Sequence, residues 1–193
     1  MNYILKKADD YTDLEIDSFY NKIYKKKKDK IDRILDHNQK KKTIIAEILL
    51  KDLLNKYNLD YEKLSFDITS NGKPYINNND IYFSISHSDN YILVCISDKK
   101  IGCDIEETIR YDKNNLKVFA NKEEIDYINS SNNPIEAYFK IFTLKESYIK
   151  LNDLALLNIK SINVVKNNEL YLEDCIIKNI IDDKYVISII EEK

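Results

Sequence analysis

Residues 81–106, which read IYFSISHSDNYILVCISDKKIGCDIE, give the strongest prediction of the fold. They contain three compact apolar runs, at 81–86, 91–97 and 101–105. Asp89-Asn90 separates the first two runs and Asp98-Lys99-Lys100 the last two, and such polar residues favour turns. The pattern predicts three strands connected as an antiparallel meander.

Helical patterns lie on both sides of these strands. Apolar residues repeat every three or four positions across 29–58, which predicts one helix or two. Asn121 followed by Glu124 fits an N-cap with its reciprocal acid, and Asn133-Pro134 fits the start of a helix that ends near residue 150. Further strands are predicted at 1–5, 159–165, 170–177 and 185–190, with a hairpin turn at Asn167-Asn168.

The order of these elements is helix then strands, and again helix then strands. It predicts an α+β fold with two halves, 1–100 and 101–193. The chain has 193 residues, of which 44% are hydrophobic and 33% charged, as in ordinary soluble globular proteins. No low-complexity linker divides the halves, so we expect one compact body with a shared interface.

Charge is spread unevenly along a chain whose formal net charge is −3. Residues 22–42 contain nine Lys and one Arg against three Asp, a local excess of seven positive charges. Such a segment can attract an anionic ligand or an acidic partner, and it can equally be a solvated helix face. A nucleic-acid partner is not expected, because no aromatic–basic binding motif accompanies the segment.

The remaining composition excludes several classes of protein. Three cysteines without a CxxC motif and only two histidines make a zinc site improbable, and Cys95 and Cys103 lie in apolar runs that predict burial. Charged residues interrupt the amino terminus, and no apolar run reaches membrane-spanning length. We expect a cytoplasmic protein without a membrane partner.

Two acidic side chains end the third apolar run. Residues two apart on a strand point to the same face, so Asp104 and Glu106 project together. Neighbouring carboxylates repel each other unless a cation lies between them, and all-oxygen ligands suit magnesium. The alternative interpretation, two exposed acids at a strand end, stays open.

A helix carries the next group of candidates. Phe142, Glu146 and Lys150 share one helical face, so Glu146 could give a metal a further carboxylate and Lys150 could contact a phosphate. An ordinary surface Glu–Lys pair is the alternative.

His87, with Ser86 and Ser88 on either side, could bind phosphate or transfer a proton, or could be structural. Gly72-Lys73-Pro74 could present Lys73 to an anion.

Taken in order, these motifs resemble those of the 4′-phosphopantetheinyl transferase superfamily. The resemblance is to the longer single-chain type, typified by the surfactin synthetase activator, and covers about residues 30–163. It implies two similar α+β halves around a pseudo-twofold axis, with coenzyme A between them and magnesium (Mg2+) on Asp104, Glu106 and Glu146. The residues implied to contact coenzyme A are Lys30, Arg33, Lys41, Lys42, Gly72, Lys73, Pro74, Ser86, His87, Lys145 and Lys150.

The resemblance also implies a reaction. A serine of an apo acyl or peptidyl carrier protein would attack coenzyme A and release 3′,5′-adenosine bisphosphate, with Glu146, Lys150 and His87 as catalytic residues. Either Glu146 or a metal-bound water would be the base. Residues 151–156 replace a glycine-rich turn of the family; Asn152 could adopt the left-handed conformation that such a turn requires, and the geometry of this loop stays open. A monomer is expected, and a coenzyme A-binding member with lost or altered transfer activity is the alternative.

Overall fold

The computed structural model describes residues 1–193. Its helices are α1 (Asp13–Tyr20), α2 (Lys25–Ile31), α3 (His37–Lys56), α4 (Leu116–Phe119), α5 (Lys122–Ser130) and α6 (Pro134–Asn152). Its strands are β1 (Asn2–Lys7), β2 (Phe66–Ile68), β3 (Pro74–Ile76), β4 (Tyr82–Ser88), β5 (Tyr91–Ser97), β6 (Ile101–Glu107), β7 (Val165–Lys166), β8 (Glu169–Leu170), β9 (Cys175–Ile181) and β10 (Tyr185–Glu192). No helix combines the length and apolar character needed to cross a membrane.

Two antiparallel sheets of three strands form the frame, with strand orders β1-β5-β4 and β6-β10-β9. The predicted meander is therefore wrong in its third strand, because β6 pairs with β10 instead of β5. Both edges of β5 are already occupied by β1 and β4, which leaves no backbone groups for β6. Each sheet takes its strands from one side of residue 100. We therefore propose that the chain divides into two halves, 1–100 and 101–193.

The α+β class is confirmed, and each half has one long helix packed on its sheet. Ile45 and Leu49 of α3 are buried against the first sheet, and Ile141 and Leu144 of α6 against the second. A third apolar cluster joins the halves, and it contains Leu93, Cys95, Ile101, Cys103, Ile105, Ile187 and Ile189. The strand β5 is buried on both faces, which explains its unbroken apolar sequence.

The crossing of α6 over β6 fixes the geometry between the halves. A Cβ atom at Gly102 would lie 2.0 Å from the backbone oxygen of Ser147. The helix can approach the strand this closely only because residue 102 has no side chain. The approach brings the later part of α6, with Glu146 and Lys150, over the acidic end of β6.

The predicted helix starts are confirmed. Asn121 and Glu124 form a reciprocal capping box at α5, and the Asn133 side chain caps α6 ahead of its first residue, Pro134. Asn167 and Asn168 both have positive φ angles in the two-residue turn between β7 and β8.

Three sequence interpretations of local structure failed. The strand predicted at 170–177 is interrupted at 171–174, between β8 and β9. The strand predicted at 159–165 is largely wrong, because Leu156–Ser161 is a 3-10 helix in which the Ile159 carbonyl turns inward to a buried lysine. The helix α1 was not predicted, although Thr12 and Glu15 form a capping box that signals its start.

Candidate active site

Side-chain hydroxyls join the two halves where β4 runs beside β6. Three buried serines alternate along β4 and project to one face: Ser84, Ser86 and Ser88. The first accepts a hydrogen bond from the Cys103 backbone N–H (3.0 Å). The second donates to Asp104 Oδ1 (2.6 Å), and the third donates to Glu106 Oε2 (2.9 Å). These bonds set the two carboxylates of β6 at fixed positions along the interface.

Asp104 is the centre of the cluster. Its Oδ1 accepts from Lys150 Nζ at 2.7 Å as well as from Ser86. Its Oδ2 is buried and has no hydrogen-bond partner in the protein. A buried carboxylate oxygen without a partner is unfavourable, and a bound cation or a ligand donor would satisfy it. Among the features of the protein interior, this unsatisfied oxygen most directly indicates a ligand site.

Glu106 and Glu146 place two more carboxylates in the field of Asp104. Burial, followed by the charge of Asp104, raises the pKa of Glu146 to about 7, and Lys150 opposes the rise. Burial and then Asp104 also raise the pKa of Glu106, while the Ser88 hydrogen bond opposes the rise. Neighbouring carboxylates repel each other when all of them are ionised. A divalent cation bound between them would neutralise this negative charge.

The donor set fits a hard cation in part. The oxygens of Asp104, Glu106 and Glu146 are the ligand type that magnesium prefers, and magnesium commonly keeps several waters and phosphate oxygens. However, no three His, Cys, Asp or Glu side chains are arranged as a ready-made metal cage. The chemistry of the carboxylate oxygens therefore suits magnesium, whereas their arrangement alone does not form a metal site.

Lys150 and His87 bring different charges to this site. Burial lowers the pKa of Lys150, but Asp104 and the other acidic groups around it, including Glu146, together outweigh burial, so the pKa is raised and the ammonium stays protonated. Burial and then the nearby Lys42 lower the pKa of His87, which is therefore neutral at pH 7. The His87 Nε2 atom lies 3.0 Å from the amide nitrogen of Gln39.

An open cavity of about 720 Å³ lies at the start of α3, and Gln39, which contacts His87, is part of its lining. Its charged lining consists of two lysines and three aspartates: Lys41, Lys42, Asp9, Asp36 and Asp89. Lys41 pairs with Asp13 at 3.5 Å, and Lys42 donates to the Asp89 carbonyl at 3.0 Å. Of the predicted basic contacts, these two line the cavity, whereas Lys30 and Arg33 are exposed and do not line it.

Two models of one protein family match consecutive parts of the chain. Residues 11–99 match the N-terminal model of 4′-phosphopantetheinyl transferases, and residues 100–188 match the 4′-phosphopantetheinyl transferase superfamily model. The chain belongs to this superfamily. The two matches meet between residues 99 and 100, where the chain passes from the first sheet to the second.

Curated relatives of the same family are similar over part of their length. The 4′-phosphopantetheinyl transferase gsp of Aneurinibacillus migulanus is 33% identical over 112 residues, which are 56% of this chain and 47% of the relative. The 4′-phosphopantetheinyl transferase psf-1 of Bacillus pumilus is 30% identical over 115 residues, 58% of this chain and 49% of the relative. A 4′-phosphopantetheinyl transferase of Bacillus subtilis is 30% identical over 128 residues, 64% and 57% respectively. The chain spans about half the length of the curated relatives it matches.

One predicted coenzyme A contact of this superfamily member lies away from the site. Lys145 is fully buried, and its ammonium pairs with Glu124 at 2.6 Å. It also donates to the carbonyls of Phe119 (2.6 Å) and Ile159 (3.2 Å). The prediction for Lys145 is corrected: adjacent residues on a helix point about 100° apart, so Glu146 faces the interface while Lys145 faces the core.

The Gly72-Lys73-Pro74 turn docks on the end of α6 in this transferase-family chain. Lys73 Nζ donates to the carbonyls of Leu151 (3.3 Å) and Ile101 (3.5 Å), and burial lowers its pKa. The left-handed residue of the following loop is Asp153, with φ 52°, whereas Asn152 is the last residue of the helix.

Sequence reasoning assigned no role to two residues that shape this family site. Gln39 contacts His87, and nothing in the sequence indicates that the start of α3 reaches β4. Ser88 bonds Glu106, and the two-residue spacing of the β4 serines is the signal that could have revealed it.

Proposed function

We propose that this chain transfers the 4′-phosphopantetheine arm of coenzyme A to a serine of an apo acyl or peptidyl carrier protein and releases 3′,5′-adenosine bisphosphate. The observation that carries the proposal is the buried, unpartnered Oδ2 of Asp104 beside Lys150. Family membership supplies the chemical context for it. The curated relatives are named for this transferase class, and the specific donor, acceptor and product belong to the proposal.

Asp104, Glu106 and Glu146 would hold magnesium together with the pyrophosphate of coenzyme A. When bound, magnesium neutralises phosphate charge and stabilises the leaving group. The chain supplies the rest of the electrostatics. Lys150 stays protonated and lies 2.7 Å from Asp104, so its ammonium can contact a pyrophosphate oxygen at the same place. Neutral His87 can donate or accept one hydrogen bond there.

Glu146 is the proposed base. A new bond forms between the carrier serine oxygen and the β-phosphorus of coenzyme A, and the bond from that phosphorus to the bridging oxygen breaks. The departing oxygen stays with 3′,5′-adenosine bisphosphate, and the serine proton passes to the Glu146 carboxylate. In the metal-free protein, burial and the charge of Asp104 raise the pKa of Glu146 to about 7. Bound magnesium would lower this pKa, so the carboxylate would be ionised and able to accept the proton.

The cavity at the start of α3 is the proposed binding place for the nucleotide part of coenzyme A. It is about 720 Å³ in volume and contains Lys41 and Lys42, which could approach a phosphate if they released Asp13 and the Asp89 carbonyl. We propose that the protein acts as a monomer in the cytoplasm, because both halves of one chain contribute to the site. An acidic carrier would suit the exposed lysines of α2.

The test is the intact mass of a carrier protein. Purified protein is incubated with coenzyme A, magnesium and an apo acyl or peptidyl carrier, with EDTA in a parallel reaction. We expect a mass gain equal to one phosphopantetheine group, which EDTA abolishes. Coenzyme A binding without any gain would favour the alternative of a binding protein without transfer activity.

A further inference from the structure

Ser88 ends β4 directly opposite the second carboxylate of β6. It is 1% exposed. Its Oγ lies 2.9 Å from Glu106 Oε2 and 3.2 Å from the backbone nitrogen of Glu107. The hydroxyl therefore contacts both the side chain of one residue and the main chain of the next.

The direction of these two hydrogen bonds follows from chemistry. A backbone N–H can only donate, so Ser88 Oγ accepts from Glu107. The single proton of the hydroxyl is then free to point at Glu106, whose ionised carboxylate can only accept. Ser88 is the only hydrogen-bond partner of that carboxylate in the protein, and no salt bridge reaches its other oxygen. One oxygen is thus held while the other stays available.

The end of β4 is itself anchored, which gives the hydroxyl a fixed position. Ser88 pairs with Tyr91 across a two-residue hairpin turn. Lys42 of α3 donates to the carbonyl of Asp89 in that turn at 3.0 Å, and Gln39 contacts His87 at 3.0 Å. Two contacts from one helix therefore hold the strand end that carries Ser88.

We propose that Ser88 is a positioning residue that fixes Glu106 with one oxygen turned toward the metal site. This inference rests on the proposed function. Ser88 does not touch the metal or coenzyme A, and it acts only through Glu106. The neighbouring Ser84 lies on the same face of the strand but bonds a backbone N–H instead of a carboxylate, so it gives a matched control.

The experiment measures Mn²⁺ binding to the full chain in the presence of coenzyme A, by the loss of the electron paramagnetic resonance signal of free Mn²⁺. Ser88→Ala is expected to weaken binding by about 10–100-fold, as substitutions behind metal ligands do. Ser84→Ala should leave the Mn²⁺ affinity unchanged. In a Glu106→Gln background, Ser88→Ala should cause no further loss, because the two residues act as one unit.

Thermal unfolding of each variant checks that it is folded, and Ser88→Cys, with a weaker donor, replaces Ser88→Ala if the latter does not fold. Equal Mn²⁺ affinity in Ser88→Ala and Ser84→Ala would overturn the inference, as would a further loss in the Glu106→Gln background. Failure of the wild-type chain to bind Mn²⁺ would overturn it too. The carrier mass assay judges the proposed function separately, because it measures transfer by the wild-type protein.

Discussion

Lys145→Met is expected to destabilise the protein strongly without touching the proposed coenzyme A site. The substitution keeps the length and apolar part of the side chain but removes its ammonium. Glu124, which is 0% exposed, would then be a buried carboxylate without its cation. The carbonyls of Phe119 and Ile159 would lose their donor as well.

The magnitude follows from what remains around Glu124. Breaking a buried ion pair by removing one partner costs about 3–5 kcal/mol. Glu124 keeps two backbone donors, from Asn121 (2.8 Å) and Val164 (3.0 Å), which stabilise its charge. We therefore expect a loss near the lower end, about 3 kcal/mol in the free energy of unfolding. For a chain of this length that lowers the melting temperature by about 6–12 °C.

The assay is urea unfolding followed by circular dichroism, with Lys140→Met as the matched control. Lys140 lies on the same helix and pairs with Glu136 at 2.5 Å, but both side chains are partly exposed. Its loss should cost less than about 1 kcal/mol. Equal losses in the two variants would refute the reasoning. The coenzyme A affinity of folded Lys145→Met should equal that of the wild type. A large drop in this affinity would show that Lys145 does contact coenzyme A.

Four further predictions concern the interface and the site. Gly102→Ala should lower the free energy of unfolding in urea by more than about 3 kcal/mol, because its Cβ would meet the α6 backbone. Gly72→Ala is the control: this residue lies in open space with φ 93°, so the substitution should cost about 1 kcal/mol. Lys150→Met should slow transfer to the carrier by about 100-fold or more in a stopped mass assay, and an unchanged rate would exclude its role. Glu146→Gln should slow transfer by about 100-fold or more in the same assay, because it removes the proposed base, and an unchanged rate would exclude that role. In metal-free protein, Glu146→Gln should be more stable than the wild type above pH 7, because ionising the buried acid destabilises the folded state. This advantage should shrink as the pH falls from about 7 toward 4.5, since the side chain at position 146 then becomes uncharged in the folded and the unfolded states of both proteins.

Local sequence signals predicted much of the fold. The caps at Asn121 and Asn133 and the turn at Asn167-Asn168 depend on neighbouring residues, so they could be read directly from the sequence. The partner of β6 could not, because strand pairing depends on which edges other strands have already occupied. Both sheets had to be known before β6 could be assigned.

The candidate site shows the same division. The two-residue spacing of Asp104 and Glu106 predicts a shared face, and both do face the interface. The spacing of Glu146 and Lys150 predicts a shared helical face but does not predict which neighbour of Glu146 is buried. The location of Lys145 depends on α5 and the 3-10 helix at Leu156–Ser161, which are distant in sequence.

The rate of holo-carrier formation by Asp104→Asn, compared with the wild type, tests the central claim most directly. The variant keeps the size of the side chain and removes its negative charge. That charge is shared by Oδ1, which contacts Lys150, and Oδ2, which is buried without a partner. With coenzyme A, magnesium and an apo carrier in excess, the account predicts one phosphopantetheine mass gain per carrier with the wild type and a rate at least about 100-fold lower with the variant. A folded variant that transfers at the wild-type rate would contradict the account, because the chemistry would then take place elsewhere.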